Sequence, residues 1–205
     1  MEIILASSSP RRYEILQAHG ITPVVIQPRA DEEIPPEMDR SNAEAVVKYL
    51  ARVKALDVQA QLAGGGAGGK DAKDRLPSLL IAADTIVYCD KIIGKPKDRQ
   101  DAFRILSSYR NRSHEVWTGV ALMDWRTGED DTFAVRTRVT FGDYSDGEIW
   151  RYIEDEQPFD KAGSYAIQSD WGKHVTALEG DFENVIGFPW PAIEEHISKL
   201  AGEAV

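Results

Sequence analysis

Leu79-Leu80-Ile81-Ala82-Ala83-Asp84-Thr85-Ile86-Val87 is the stretch on which the fold turns. Five large aliphatic residues flank one aspartate, the pattern of a short strand buried on both faces. A carboxylate in such a run is costly to desolvate unless it meets a cation, a metal or hydrogen-bond donors. The small pair Ala82-Ala83 leaves room for another group to approach the acid. An aspartate capping a turn between two strands is the alternative reading.

Downstream, Cys89-Asp90-Lys91 predicts a tight turn into Ile92-Ile93-Gly94-Lys95-Pro96. Asp98 is placed to cap a helix carrying Ala102, Phe103, Ile105 and Leu106. Residues 114–124 and 133–141 read as the two longest strands, joined by the hairpin signal Arg126-Thr127-Gly128-Glu129. In the second, Phe133, Val135, Thr137, Val139 and Phe141 share one face and Arg136 and Arg138 the other. Ser145 and Glu148 form a capping box before a helix with Ile149, Trp150 and Ile153. A short strand over 174–178, a turn at Gly180-Asp181 and a last helix opened by Pro189 and Pro191 complete the C-terminal part.

Upstream, Ile3-Ile4-Leu5 predicts a buried strand running into Ser7-Ser8-Ser9-Pro10-Arg11-Arg12. Ser9 suits an N-cap, Pro10 the first helical position, and Gly20 the helix end. Residues 23–27 read as a second strand, followed by a polar loop over 28–40 with Asp31-Glu32-Glu33. Ser41 and Glu44 predict a capping box for a long helix carrying Val46, Val47, Leu50, Val53 and Leu56 and ending near Leu62. Helices and strands alternate with hairpins between them, so the class is α/β with a mixed sheet, in a single domain over 1–205.

The bulk properties narrow the function. A net charge of −10 argues against non-specific nucleic-acid binding while leaving room for a local anion pocket. The single cysteine, Cys89, rules out an internal disulfide and fits a reducing compartment. Residues 1–6 lack the basic region and apolar length of a signal peptide, and no stretch approaches a membrane span. The expectation is a soluble cytoplasmic protein.

Gly64-Gly65-Gly66-Ala67-Gly68-Gly69-Lys70 matches the letters of a phosphate-binding P-loop. The context rejects it: the segment follows a helix rather than a strand, and Asp71 stands where a Ser or Thr should hold magnesium. Residues 63–78 read instead as a flexible surface insertion.

The residues that point to chemistry are scattered cations beside small residues and turns: Arg11, Arg12, Lys54, Lys95 and Lys161. A helix start with Ser7-Ser8-Ser9 before it and two arginines in it suits an oxyanion, because free N–H groups, the helix dipole and guanidinium forks converge there. A solvated arginine face is the alternative. With Glu32 and Asp84 added, the set has the parts of metal-assisted phosphoryl chemistry: cations for phosphates, carboxylates for magnesium or for activating water. His114 reads as structural, and Cys89 lacks the basic or helix-start setting of a nucleophile.

Six motifs stand in the order found in the Maf family: residues 6–12, Ala83-Asp84-Thr85-Ile86-Val87, Lys95-Pro96, residues 114–120, residues 160–168 and residues 184–189. The chain resembles that family, nucleoside triphosphate pyrophosphatases once described as septum-formation inhibitors, over nearly its whole length. The resemblance implies a two-lobed Maf/ITPase-like α/β fold, a long curved mixed sheet flanked by helices with a central cleft. It implies a homodimer, a divalent cation (Mg2+ or Mn2+) held by Glu32 and Asp84, and hydrolysis between the α and β phosphates. Asp84 matches the proton acceptor. Ser7, Arg11, Arg12, Lys54, Thr85, Lys95, Lys161 and Gln168 match substrate-binding positions. Asp31 or Glu33 would take the place of Glu32 after a one-residue shift.

Thr85 and Gln168 resemble the subgroup acting on dTTP and UTP. The alternatives are the same chemistry on modified purines or 7-methyl-GTP, and a nucleotide-binding regulator of cell division. Two departures fall near the site. Arg110-Asn111 stands in place of Ser-Gly, and Ala166 and Ser169 in place of glycines around Ile167-Gln168, which implies a stiffer base-binding loop.

Overall fold

The computed structural model describes residues 2–64, 79–125 and 127–200. Strand β1 (Ile3–Ala6) leads into α1 (Pro10–Ala18), followed by β2 (Val24–Ile26) and α2 (Ala43–Gly64). The aspartate-bearing strand is β3 (Leu79–Cys89), which turns into β4 (Lys91–Ile93) and then α3 (Arg99–Ser108). The long hairpin is β5 (Ser113–Asp124) and β6 (Glu129–Phe141). After it come α4 (Asp146–Glu156), 3-10 turns at Pro158–Asp160, Ala162–Ser164 and Asp170–His174, β7 (Val175–Glu179), α5 (Phe182–Ile186) and α6 (Trp190–Leu200).

Seven strands form one mixed sheet in the order β2-β1-β3-β5-β6-β7, with β4 added to β3. Strand β1 pairs in parallel with both β2 and β3, and the other pairings are antiparallel. The expected α/β class and mixed sheet are what the chain adopts. The alternation expected of β6 also holds: Phe133, Thr137, Val139 and Phe141 are buried while Arg136 and Arg138, both exposed, point away from them.

One detail of this register makes the site. Strand β5 runs along one edge of β3 from Leu79 to Tyr88. The other edge is shared end to end, with β1 reaching Ala82 and β4 beginning at Val87. Residues 83–86 therefore have no strand neighbour on that side. Their backbone groups must find other partners, because unpaired buried carbonyls and amides are costly. Strand β3 also joins two apolar clusters. Leu79 and Ile81 pack with α1 and α6, whereas Val87 packs with residues of α3 and α4. The unpaired segment falls between the two.

Helix α2 lies across the opposite face of β3 and β5. Ala51, Ala55, Ala82 and Ala121 form the contact, small residues that let helix and sheet approach closely. The closest point is Gly119, where an added Cβ would sit 2.1 Å from the Val47 carbonyl oxygen. Gly119 is the β5 residue opposite Asp84. Any side chain there would push α2 away from the strand position next to the acid.

Some local expectations shift. The N-cap of α2 is Asn42, whose Oδ1 accepts from the Ala45 amide at 3.0 Å, so the expected Ser41–Glu44 box does not form. The Ser41 hydroxyl donates instead to Asp39, and Glu44 pairs with Lys48. Leu56 is exposed, and the buried stripe runs through Val47, Ala51, Ala55 and Val58. Ser9 stands at the N-cap of α1 with Pro10 first in the helix, but its side chain makes no capping bond. The expected insertion over 63–78 is shortened, since Ala63 and Gly64 close α2 and the remainder lies outside the described residues. The helix α5, capped by Asp181, was not expected. The Ser145–Glu148 box forms as expected.

Candidate functional site

A cavity of about 480 Å3 opens at the unpaired edge of β3. Arg11 and Arg12 enter it from α1, Glu32 from the β2–α2 loop and Lys54 from α2. Asp84 and Thr85 enter from β3, Lys95 from the loop after β4, and Lys161 and Gln168 from the segment between α4 and β7. Of the ten side chains singled out from sequence, nine line this one cavity. Ser7 is the exception. It is buried beside the cavity, where its hydroxyl accepts from the Ser9 amide at 3.0 Å and from Arg12 Nη1 at 3.3 Å.

Successive residues of a strand point to opposite faces, and β3 uses that to split two tasks. Asp84 points to the α2 face, where its Oδ1 accepts from Lys54 Nζ at 2.6 Å. Lys54 also lies 3.0 Å from Glu32 Oε1. Lys54 and Asp84 are both buried, whereas the Glu32 side chain is more than half exposed. Thr85 points to the other face. Its hydroxyl meets Thr118 Oγ1 at 3.0 Å, and Thr118 in turn donates to the Asn184 carbonyl at 3.3 Å. The Asn184 amide reaches the Val116 carbonyl and the Thr137 hydroxyl, which ties α5 to the hairpin.

Arg12 fills the edge that the strands leave open. Its Nη1 donates to the Ala83 carbonyl at 2.6 Å, Nη2 to Thr85 Oγ1 at 3.2 Å and Nε to the Gly187 carbonyl at 2.9 Å. With Ser7 this makes four internal acceptors. Burial pulls the guanidinium below its ordinary value, and the charges of Asp84 and Glu32 oppose that pull. Gly187 has φ +111°, a left-handed conformation that L side chains rarely adopt, and an added Cβ would meet Thr85 Oγ1 at 3.2 Å. The expectation that Arg12 serves phosphates must therefore share the residue with a structural duty. Arg11, half-buried, and Lys95, exposed, carry no such network among the described residues. Lys161 pairs with Asp160 at 2.7 Å.

The part of the cavity lining around Tyr165 is held from behind. Tyr165 lines the cavity, and its hydroxyl shares a 2.7 Å hydrogen bond with Nε2 of buried His114. His114 stacks on Tyr109 with ring centroids 4.4 Å apart. Of the two departures from glycine, Ser169 adds side-chain hydrogen bonds to this loop, whereas Ala166 contributes through its backbone. Ser169 Oγ donates to the Ala166 carbonyl at 2.8 Å and lies 3.4 Å from the Tyr152 hydroxyl, while the Ala166 amide donates to the same hydroxyl at 3.2 Å. Asn111 takes the glycine's role with φ +53°, which asparagine tolerates better than most residues.

Burial alone pushes His114 down to about 3, so the native imidazole stays neutral in mild acid. The unfolded chain's histidine, near 6.5, binds a proton first. Between those values the unfolded state holds the extra proton, so stability falls as pH falls, and above 6.5 this contribution is flat. The expected cost at pH 5 is about 2 kcal/mol. Burial lowers His174 as well, in the same direction. Urea melts from pH 5 to 8 should show a shallower acid slope for His114→Phe than for the unmodified protein. Identical slopes would defeat the assignment.

Among the described residues no group of three or more His, Cys, Asp or Glu side chains is placed to hold a metal ion. Glu32 and Asp84 form a pair that already shares one cation, the Lys54 ammonium. Such a pair fits a hard divalent ion that keeps most of its ligands as water and phosphate oxygens. Also among the described residues, no helix is long and apolar enough to cross a membrane.

Local sequence patterns did not mark Thr118, Gly119, Asn184 and Gly187 as parts of the site's frame. The Thr118-Gly119 and Asn184 to Gly187 motifs were visible, but nothing local says that they meet Thr85 and Arg12.

The family model described as Maf-like protein matches residues 2–200. A dTTP/UTP pyrophosphatase of Dictyoglomus turgidum is 41% identical over 189 residues, covering 92% of this chain and 90% of the relative. One of Alkaliphilus oremlandii is 40% identical, with 92% and 90% covered. One of Geotalea uraniireducens is 44% identical over 199 residues, with 97% and 94% covered.

Proposed function

The chain belongs to the Maf-like protein family, and from that premise we propose that it is a nucleoside triphosphate pyrophosphatase acting on dTTP and UTP. The observation that carries the proposal is the unpaired edge of β3. It sets one buried carboxylate, Asp84, beside a cavity that also receives Arg11, Lys95 and Lys161. Cations on three elements suit a polyanionic triphosphate, and the acid suits a water molecule that must lose a proton.

In the reaction proposed, water attacks the α-phosphorus and the bond to the α–β bridging oxygen breaks. The products are a nucleoside monophosphate and pyrophosphate. Asp84 orients the water and accepts its proton. Arg11, Lys95 and Lys161 hold the phosphate oxygens and offset the charge that builds on the leaving pyrophosphate. A divalent cation, Mg2+ or Mn2+, held by Glu32 and Asp84 would add further charge neutralisation when bound. Thr85, locked to Thr118 and Arg12, keeps β3 in register beside the reacting centre.

Gln168 is exposed and lines the cavity together with Tyr165 and Ile167. Its amide offers a donor and an acceptor to the carbonyl and N3–H edge of thymine or uracil. The anchoring of Ala166 and Ser169 to Tyr152 supports a rigid base-reading loop. The proposal extends to a homodimer in the cytoplasm, on the family resemblance. Cys89, half-buried with its thiol pushed up by burial, fits a reducing compartment and no nucleophilic role.

The test is pyrophosphate release by the purified protein with magnesium and a panel of dTTP, UTP, dATP, dGTP and 7-methyl-GTP. Fastest turnover of dTTP and UTP is expected. Preference for a purine would overturn the substrate assignment and leave the reaction standing. Tight binding without release would overturn the reaction itself in favour of a nucleotide-sensing regulator.

A further inference from the structure

Lys54 occupies the point on which Glu32 and Asp84 converge, 3.0 Å from one carboxylate and 2.6 Å from the other. Resting on the phosphoryl-transfer reading above, we propose that Lys54 is a resident counter-ion: it holds the place of a divalent cation until nucleotide arrives, then releases the two carboxylates to it.

Three observations carry this. First, Lys54 sits on the buried stripe of α2, between Ala51 and Ala55 in the sequence of that helix. Its stretch of helix is held against the sheet by buried Ala51 and Ala55, while its four-carbon stem lets the ammonium swing without moving the helix. Second, the two acids differ. Asp84 is buried on a central strand, and without a cation its charge would be uncompensated, which is strongly destabilising. The Glu32 side chain is over half exposed on a loop, so its pairing with Lys54 is weak and easily exchanged. Third, the other cation buried among the described residues is committed. Arg12 feels the charges of both acids, but its N–H groups hold Ala83, Thr85, Gly187 and Ser7. Lys54 is thus the group whose departure opens the carboxylate pair without dismantling the strand edge.

The consequence is an order of events. In the nucleotide-free protein an incoming metal ion competes with a tethered ammonium and binds poorly. When metal and triphosphate enter together, the displaced ammonium gains phosphate oxygens in exchange for carboxylates. The lysine then couples metal uptake to substrate uptake.

The test is Mn2+ binding to the nucleotide-free protein, followed by the electron paramagnetic resonance signal of free Mn2+, with thermal melts in chelator and in Mn2+. Lys54→Met and Lys54→Gln should each bind Mn2+ at least ~10-fold tighter than the unmodified protein, as removal of a competing charge requires. Both should melt lower in chelator and recover in Mn2+, whereas the unmodified protein's melting point should barely respond. Lys54→Arg, which keeps a cation in place, should behave like the unmodified protein. Adding Asp84→Asn to Lys54→Met should abolish the gain. Equal or weaker Mn2+ affinity in both neutral variants overturns the proposal, as does a gain that survives loss of Asp84. Pyrophosphate release by the unmodified protein is read separately. Its absence would bring down the reaction, and its presence with unchanged Mn2+ affinities would bring down the placeholder alone.

Discussion

Asp84→Asn is expected to lower pyrophosphate release by ~100-fold or more, the scale of losing a general base, while nucleotide affinity measured without divalent metal is kept or rises slightly. The amide has the shape of the carboxylate and still offers Lys54 an oxygen. Lys54 also keeps Glu32 at 3.0 Å, so the substitution leaves no buried cation without a partner. What disappears is the group able to take a proton from water beside the unpaired edge of β3. With no divalent ion present, removal of a negative charge from a cavity that receives a polyanion favours binding. The measurement is single-turnover release together with affinity for a triphosphate analogue whose α–β bridging oxygen is replaced by a methylene group. Near-normal turnover would remove Asp84 from the chemistry. Loss of folding would return the aspartate to a purely structural role.

Much of this site is legible in the sequence because charges stand where the local pattern calls for apolar residues. Asp84 interrupts an aliphatic strand, and the cost of burying a lone carboxylate there already demands a partner. Lys54 carries a similar signal in a less conspicuous form. It lies among Val47, Ala51, Ala55 and Val58 on the face of α2 that must be buried. A lysine there has to be paired or aimed into a cavity. Arg12 is visible only as a cation at a helix start, and its burial is not.

What stays hidden depends on register between distant strands. No local pattern says that β1 and β4 share one edge of β3 and stop short of each other at residues 83–86. Gly119 looks like any glycine in a strand until α2 is laid against it. The shifted cap of α2 has a smaller cause. Ser41 and Asn42 are both good capping residues, and Asp39 captures the hydroxyl of the first, leaving the second to cap the helix. Leu56 misleads for a related reason. The buried stripe of α2 runs through Val47, Ala51, Ala55 and Val58, and at about 3.6 residues per turn Leu56 falls on the far side of the helix from it.

Arg12→Ala should reveal which of two roles dominates at the strand edge. Were Arg12 only a phosphate ligand, alanine would weaken nucleotide binding and leave the melting point nearly unchanged. The geometry predicts more. Alanine strips four acceptors of a donor, and the Ala83 and Gly187 carbonyls lie where no strand can replace it. Each unsatisfied buried group costs about 1–3 kcal/mol, with partial relief from water entering through the cleft. A loss of ~3 kcal/mol is expected, which for a chain of this size lowers the melting temperature by roughly 6–12 °C. Lysine should rescue little, because one ammonium cannot span acceptors on β1–α1, β3 and the turn after α5. Lys95→Ala is the internal comparison. Lys95 is exposed on a loop, so its loss should weaken triphosphate binding by about 1.5–3 kcal/mol with no change in melting. Thermal melts and nucleotide titrations of the three variants decide the matter. An Arg12→Ala protein as stable as the unmodified one would show that β3 holds its open edge without the guanidinium, and Arg12 would then belong with Lys95 among the phosphate ligands.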